Sequence, residues 1–310
     1  MNNSEYIEVE KNVSLNIRDW GVGKTIVFIP GWPLSYEMYE YQFTQLPQQG
    51  YRCVGISLRG FGKSSQPYGV YNYDVFADDI KVVLEALDLH DVTLVGFSMG
   101  GAIALHYMAR HKGERVSNLA LCGAAAPSFT TRPGFPFGLE PGAVDSLIEL
   151  CYSDRAKLNA DFGKIFFRSE NSVGPLGDWF QAMGMEASPL ATAACLIALR
   201  DTDLRADMPK VNVPTAIFHG VHDKVCLFAL AEALSAPREA IAAGLVAMAA
   251  GAEAISAEAE TTAGGIRGAK LIRFENSGHA LFFEEKNKFN IELMNFIEKK
   301  ESREKVFFPL

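Results

Sequence analysis

Gly96-Phe97-Ser98-Met99-Gly100-Gly101 joins two segments of different periodicity. The apolar, β-branched run Asp91-Val92-Thr93-Leu94-Val95 precedes it, and Ala102-Ile103-Ala104-Leu105-His106-Tyr107-Met108-Ala109-Arg110 follows it. The first reads as a buried strand and the second as a helix, so the hexapeptide must turn the chain between them within a few residues. Such a G-x-S-x-G turn holds its serine at strained backbone angles, and glycines two residues to either side remove the Cβ atoms that would keep strand and helix apart. The Ser98 hydroxyl then projects over the helix N-terminus, as a nucleophile requires. A plain turn serine can carry the same letters; the flanks favour the nucleophile.

Apolar strands and amphipathic helices alternate on both sides of this turn. Glu5 to Arg18 reads as two alternating strands around Lys11-Asn12, and Lys24 to Ile29, Tyr51 to Ile56, Val116 to Leu121, Val213 to His219 and Lys270 to Phe274 read as further strands. Helical periodicity covers Tyr73 to Leu89, with Asp74 near its start, and Glu284 to Lys299, while Tyr36 to Leu46 is amphipathic. The alternation predicts a parallel sheet covered by helices on both faces.

Two stretches interrupt the pattern. About ninety residues separate the strand ending near Cys122 from the one beginning near Val213, far more than a crossover needs. Pro141 to Tyr152, Asp154 to Phe166, Pro175 to Met185 and Pro189 to Arg200 read as short helices there, rich in large apolar groups such as Phe135, Phe137, Phe162, Phe166, Phe167, Trp179 and Phe180. They predict a helical cap over residues 125–212, between core portions 1–124 and 213–310. The second stretch, about 237–264, is dominated by alanine, opens on Pro237 and ends at Gly264-Gly265, which predicts a helix. Its composition differs from the rest of the chain and suggests an engineered insertion at the amino ends of the strands. The seven-residue spacing of Gly244 and Gly251 leaves open whether it packs on its own domain or makes a homo-oligomer.

Composition narrows the partners. A net charge of −8 and a pI near 5.4, without a basic run, disfavour nucleic acid and anionic membrane and favour a small neutral substrate. The polar, acidic start and the lack of a long apolar run point to a cytoplasmic protein. Cys53, Cys122, Cys151, Cys195 and Cys226 have no metal-site spacing and read as reduced, buried thiols.

Acyl transfer by serine needs a base to take its proton and an acid to orient that base. His279, in Asn276-Ser277-Gly278-His279-Ala280, lies just beyond the last strand, and Asp223, in His219-Gly220-Val221-His222-Asp223, just beyond the one before. The order serine, aspartate, histidine suits a sheet that carries its site at the strands' carboxyl ends. Asp201 and Asp203 are rival acids at the end of a cap helix, and His222 is a rival histidine. A developing oxyanion needs two N–H donors, which Met99 and the Pro30-Gly31-Trp32-Pro33 loop can supply; Pro33 has none, leaving Trp32.

Pro30-Gly31-Trp32-Pro33-Leu34-Ser35, Leu58-Arg59-Gly60-Phe61-Gly62-Lys63-Ser64-Ser65, Tyr73-Asp74-Val75-Phe76-Ala77-Asp78-Asp79, the Ser98 turn, Gly220-Val221-His222-Asp223 and Ser277-Gly278-His279-Ala280 together resemble the capped α/β-hydrolases grouped as non-haem haloperoxidase-like esterases and perhydrolases. The resemblance covers about residues 5 to 298 without the Ala-rich stretch. It implies an α/β-hydrolase fold with a helical cap, Ser98, Asp223 and His279 as catalytic triad, and the backbone N–H groups of Trp32 and Met99 as oxyanion donors. It also implies hydrolysis of small carboxylic esters through an acyl-enzyme, peracid formation when hydrogen peroxide replaces water, and no metal, haem or other cofactor. Two departures stand out. Pro30 replaces a histidine that usually braces the oxyanion loop, and Ser57 replaces an aspartate before Leu58-Arg59-Gly60. A carbon–carbon bond hydrolase or a lactonase keeps the same triad, whereas an epoxide hydrolase or haloalkane dehalogenase needs a carboxylate where Ser98 stands. A catalytically silent binding or assembly subunit is the reading from outside enzymology.

Overall fold

The strands expected from sequence pair into one sheet: β1 (Tyr6–Glu10), β2 (Val13–Trp20), β3 (Lys24–Ile29), β4 (Tyr51–Ile56), β5 (Val92–Phe97), β6 (Val116–Cys122), β7 (Thr215–Gly220) and β8 (Lys270–Phe274). Their order is β1-β2-β4-β3-β5-β6-β7-β8. The β1–β2 and β2–β4 pairs are antiparallel, and every pair from β4 onward is parallel. The computed structural model describes residues 5–169, 174–236 and 264–304.

Helices α1 (Glu40–Gln45), α2 (Tyr73–Ala86), α3 (Met99–Arg110), α4 (Pro141–Ser153), α5 (Arg155–Phe166), α6 (Gly174–Glu186), α7 (Pro189–Asp201), α8 (Phe228–Ser235), α9 (Leu281–Glu284) and α10 (Lys286–Glu304) complete it. The two-residue period of the strands divides the core into two layers. Val27 and Ile29 pack with Ile80 of α2 and Ile103 of α3, while Ile26 and Phe28 face Phe43, Phe282, Phe289 and Leu293 on the other side. Every residue of β5 is buried, which is why its sequence runs apolar without alternation.

Helices α4 to α7 fall between β6 and β7, where the sequence predicts the cap. Side chains take orphan N–H groups at the starts of α5 and α7: Asp154 accepts from Lys157 N–H at 2.9 Å and Ser188 from Ala191 N–H at 3.4 Å. In the same way Asn72, and not Asp74, caps α2, accepting from Val75 N–H at 3.0 Å. Two predicted segments are divided. Tyr36 to Leu46 becomes a 3-10 turn, the short α1 and a second 3-10 turn, Leu46–Gln49, that contains Pro47. The helix predicted from Glu284 to Lys299 begins earlier, as α9, and breaks at Glu285 (φ −118°, ψ 45°), whose carboxylate turns to accept Asn276 N–H and the Ser277 hydroxyl.

The loop after β4 hangs on one buried ion pair. Arg59 donates Nε–H to Asp79 Oδ2 at 2.7 Å and Nη2–H to Oδ1 at 2.6 Å, with Nη1 on Glu10 at 2.9 Å. Burial pushes the Asp79 carboxyl above its ordinary value, against the pull of Arg59. Ser57, the departure noted from the family pattern, is itself buried, and its carbonyl accepts from the Ser64 hydroxyl at 2.7 Å. All five cysteines are free and buried, as expected, and burial pushes Cys53 up to about 12 and Cys151 up to about 11. Among the described residues no single helix is long and apolar enough to cross a membrane.

Residues 237–263 of the predicted Ala-rich helix lie outside the described residues, as do 305–310. The two ends flanking it meet: Gly265 N–H donates to Ala236 O at 2.9 Å and Ile266 N–H to Leu234 O at 2.8 Å. The chain therefore leaves the end of α8 and returns to the same point before β8. A carbonyl and an N–H in that relation are the i and i+3 positions of a β-turn. Replacing residues 237–264 by Asn-Gly is expected to preserve the fold, with a thermal midpoint no lower than that of the parent chain; a large drop would show that the segment supports the core. Asp79→Ala, which leaves the buried Arg59 without its bidentate partner, is expected to cost about 3–5 kcal/mol in urea unfolding.

Candidate active site

Strand β5 delivers the chain to Ser98 at φ 53°, ψ −120°, a left-handed φ that costs a serine roughly 1–3 kcal/mol. The strain is held from both sides. Ser98 N–H donates to Cys122 O at 2.9 Å, and Ser98 O accepts from Gly101, Ala102 and Ala125 N–H at 2.9, 3.2 and 3.0 Å. The turn has no room for side chains. A Cβ on Gly96 would lie 2.4 Å from Gly100 O, and one on Gly100 would lie 2.4 Å from Pro30 O.

The loops after β7 and β8 meet at the same edge. Val221 N–H donates to Phe274 O at 3.0 Å and His222 N–H to Ser277 O at 3.0 Å, fastening one loop to the other. Asp223 and His279 are thereby brought together, with Nδ1 of His279 2.6 Å from Asp223 Oδ2 and both side chains fully buried. Asp223 Oδ1 accepts Val225 N–H at 2.8 Å and Cys226 N–H at 2.9 Å. An ionised carboxylate only accepts, so Nδ1 carries a proton and Nε2 is left as the basic nitrogen. Nε2 is buried and has no hydrogen-bond partner among the described residues. The serine–histidine bond itself is not made: Ser98 Oγ lies 3.9 Å from Cys226 Sγ.

The rivals separate cleanly. Asp201 pairs with Arg200 at 2.8 Å, Asp203 pairs with Arg205 at 2.6 Å, and His222 is exposed. Sequence reasoning missed His219. Its Nε2 lies 2.7 Å from Cys226 O, which fixes the proton on that nitrogen, and 3.4 Å from Asp223 Oδ2. The signal was present in its position, four residues before Asp223 on the strand that carries the acid.

In the oxyanion loop the Trp32 indole is already committed, donating to Thr192 O of α7 at 3.0 Å. That leaves the backbone N–H, which no backbone carbonyl takes among the described residues. Met99 is the first residue of α3, where an N–H has no intrahelical acceptor. With a histidine replaced by Pro30, the loop is braced by other means: Leu34 N–H donates to Gly31 O at 2.8 Å and the Tyr39 hydroxyl to Ile29 O at 3.2 Å.

A strained serine after a buried strand, with an aspartate–histidine pair at the ends of the last two strands, is the framework of one fold family, and the family model described as alpha/beta hydrolase fold matches residues 24–226. The chain belongs to the α/β-hydrolase family. It is 43% identical over 292 residues to the AB hydrolase superfamily protein YisY of Bacillus subtilis (strain 168), spanning 94% of this chain and 98% of that one. It is similar to the solved structure of the esterase EaEST from Exiguobacterium antarcticum, at 39% identity and a TM-score of 0.82, covering 94% of this chain and 98% of that chain. It also resembles the bromoperoxidase from Bacillus anthracis, at 30% identity and a TM-score of 0.80, covering 94% and 99%. The resemblance to esterases and haloperoxidases read from the motifs is thus borne out.

Helix α5, within the segment the sequence predicts as a cap, places an aromatic wall against the candidate site of this α/β-hydrolase. Phe166 meets the His279 ring edge-on at 5.3 Å, Phe97 lies 4.5 Å from it, and Phe162 packs on Trp32 at 5.2 Å. Between Pro33, Leu34, Phe162, Phe166, Phe167 and Phe180 is a cavity of about 10 Å³, room for one water. Phe135 and Phe137 instead pack on each other, and Trp179 lines an outer groove with Arg18 and Tyr36. A far wider cavity of about 730 Å³, between Arg168, Asn276 and Lys286, opens on the outer side of the histidine loop, and none of the three candidates lines either cavity.

Burial by itself pushes the Asp223 carboxyl up, but the charge His279 can carry and the N–H groups of His219 and His279 outweigh it and hold the carboxyl far below the usual range. A depressed carboxyl contributes stability that is present above the unfolded value near 3.9 and is lost as pH falls toward the folded one. Asp223→Asn is expected to lose that acid-side slope in a stability-against-pH series. The same variant is expected to lower kcat by about 10⁴-fold for the reaction proposed below, because an amide permits the wrong imidazole tautomer.

Proposed function

We propose that this protein is a serine carboxylesterase acting on small carboxylic esters, with peracid formation as a side reaction. The observation that carries the reading is the buried Asp223–His279 pair, which leaves Nε2 basic and unpartnered among the described residues, with a serine on a strained turn at the same edge of the sheet. The reaction requires the Ser98 side chain to rotate away from Cys226 until Oγ meets that nitrogen. Oγ then attacks the ester carbon while Nε2 takes its proton, and Asp223 holds the imidazolium. Charge that develops on the carbonyl oxygen is met by the N–H groups of Trp32 and Met99, each worth about 10²–10³ in rate. Collapse breaks the bond to the alcohol, which leaves with the proton from His279, and water repeats the sequence on the acyl-enzyme. Hydrogen peroxide in place of water releases the peracid.

The names of the similar proteins, an esterase and a bromoperoxidase, support this reaction class. The acidic net charge agrees with a neutral substrate. Stoichiometric enzyme mixed with p-nitrophenyl acetate is expected to release a burst of nitrophenolate equal to its active sites. Ser98→Ala is expected to abolish the burst and lower kcat by at least about 10⁴-fold. A folded protein giving no burst with any short ester would sink the reading and favour a carbon–carbon bond hydrolase, a lactonase or a binding role.

A further inference from the structure

We propose that Glu284 is a positioning residue that ties the exit of cap helix α5 to the histidine loop, so that the aromatic wall and the candidate base keep one spacing. Glu284 Oε1 accepts Arg168 N–H at 2.8 Å, and Oε2 accepts Gly278 N–H at 2.7 Å. One donor belongs to the cap and the other to the residue before His279. Each backbone N–H needs an acceptor, and a carboxylate supplies one oxygen to each. An amide in its place has a single oxygen and sets an NH₂ against the second N–H.

The tie is short because the two segments touch. A Cβ on Gly278 would lie 2.6 Å from Arg168 N, and Ala280 N–H donates to Phe166 O at 3.1 Å. Phe166 is in turn the ring seated edge-on against His279. Glu284 and the Phe166–Ala280 bond therefore bracket the imidazole from either side in sequence. The neighbouring Glu285 does different work. Its Oε2 takes Asn276 N–H at 3.0 Å and the Ser277 hydroxyl at 2.7 Å, both within the loop, and these bonds do not reach the cap. The catalytic half of the inference rests on the esterase reading: with the wall fixed on the base, a longer acyl group has to displace both, so the tie selects short acyl chains.

The test compares Glu284→Gln with Glu285→Gln in the full-length protein. Hydrogen exchange resolved to single amides is expected to speed about tenfold at whichever of Arg168 and Gly278 faces the NH₂ in Glu284→Gln, the loss of one charge-assisted bond. In Glu285→Gln only loop amides are expected to respond. The ratio of kcat/KM for p-nitrophenyl hexanoate to that for the acetate is expected to rise in Glu284→Gln alone. Arg168 and Gly278 amides both as protected as in the parent, or an equal rise of the ratio in Glu285→Gln, overturn the proposal and make Glu284 a local brace. If the parent lacks esterase activity, the exchange arm still decides whether the tie exists, and only the selectivity half falls with the esterase reading. Should Glu284→Gln not melt cooperatively, Glu284→Asp replaces it; its carboxylate, one methylene short, reaches only one of the two N–H groups and is expected to free the other.

Discussion

The positive φ of Ser98 is the constraint around which the molecule is arranged. A serine held there needs a fixed strand on one side and a fixed helix on the other; β5 is fully buried, and α3 is buried over Met99 to Leu105. The conformation also turns the first N–H groups of α3 toward the edge of the sheet where the loops after β3, β7 and β8 gather. Hydrogen bonds from three N–H groups to Ser98 O and from Ser98 N–H to Cys122 O offset the strain locally, and the parallel ladder does the rest. Because a Cβ on Gly100 would lie 2.4 Å from Pro30 O, the same close approach sets the distance between the helix terminus and the loop after β3.

Around that turn, the site is assembled from groups that are dry and already committed. Asp223 uses both oxygens on ring and backbone N–H groups, and the Trp32 indole is spent on Thr192, while Nε2 of His279 has no partner among the described residues. In a low-dielectric surround such uncommitted groups interact strongly with whatever charge develops near them, because no water competes. The Trp32–Thr192 bond also couples the loop after β3 to α7, as Phe166 of α5 couples the histidine loop to the same group of helices. Helices α4 to α7 are therefore part of the candidate site's geometry.

Much of this was legible before the fold was seen. Strand runs, the four cap helices and the Ser98 turn depend on local period and on glycine placement, which act over a few residues and leave a direct mark on the sequence. Ser98, Asp223 and His279 were readable because each sits at the end of a strand run, where a parallel sheet presents its loops. The misses share one cause. The break at Glu285 arises from a side chain turning to a loop eight and nine residues back, and His219 matters through a carbonyl and a carboxylate beyond its own strand. Cap aromatics gave no such sign, since Phe166 and Phe135 have the same composition and differ only in what the chain brings opposite them.

The sequence by itself determined the element order, the alternation that makes a parallel sheet, and which residue types stand at the sheet's carboxyl edge, because backbone sterics and side-chain period are local. Only the tertiary structure decided that Asp223 and His279 meet at 2.6 Å, that Ser98 rests on Cys226, and that Ala236 and Gly265 close on each other. Those distances result from packing two layers onto one sheet, where the position of each atom depends on contacts between segments that no local period connects.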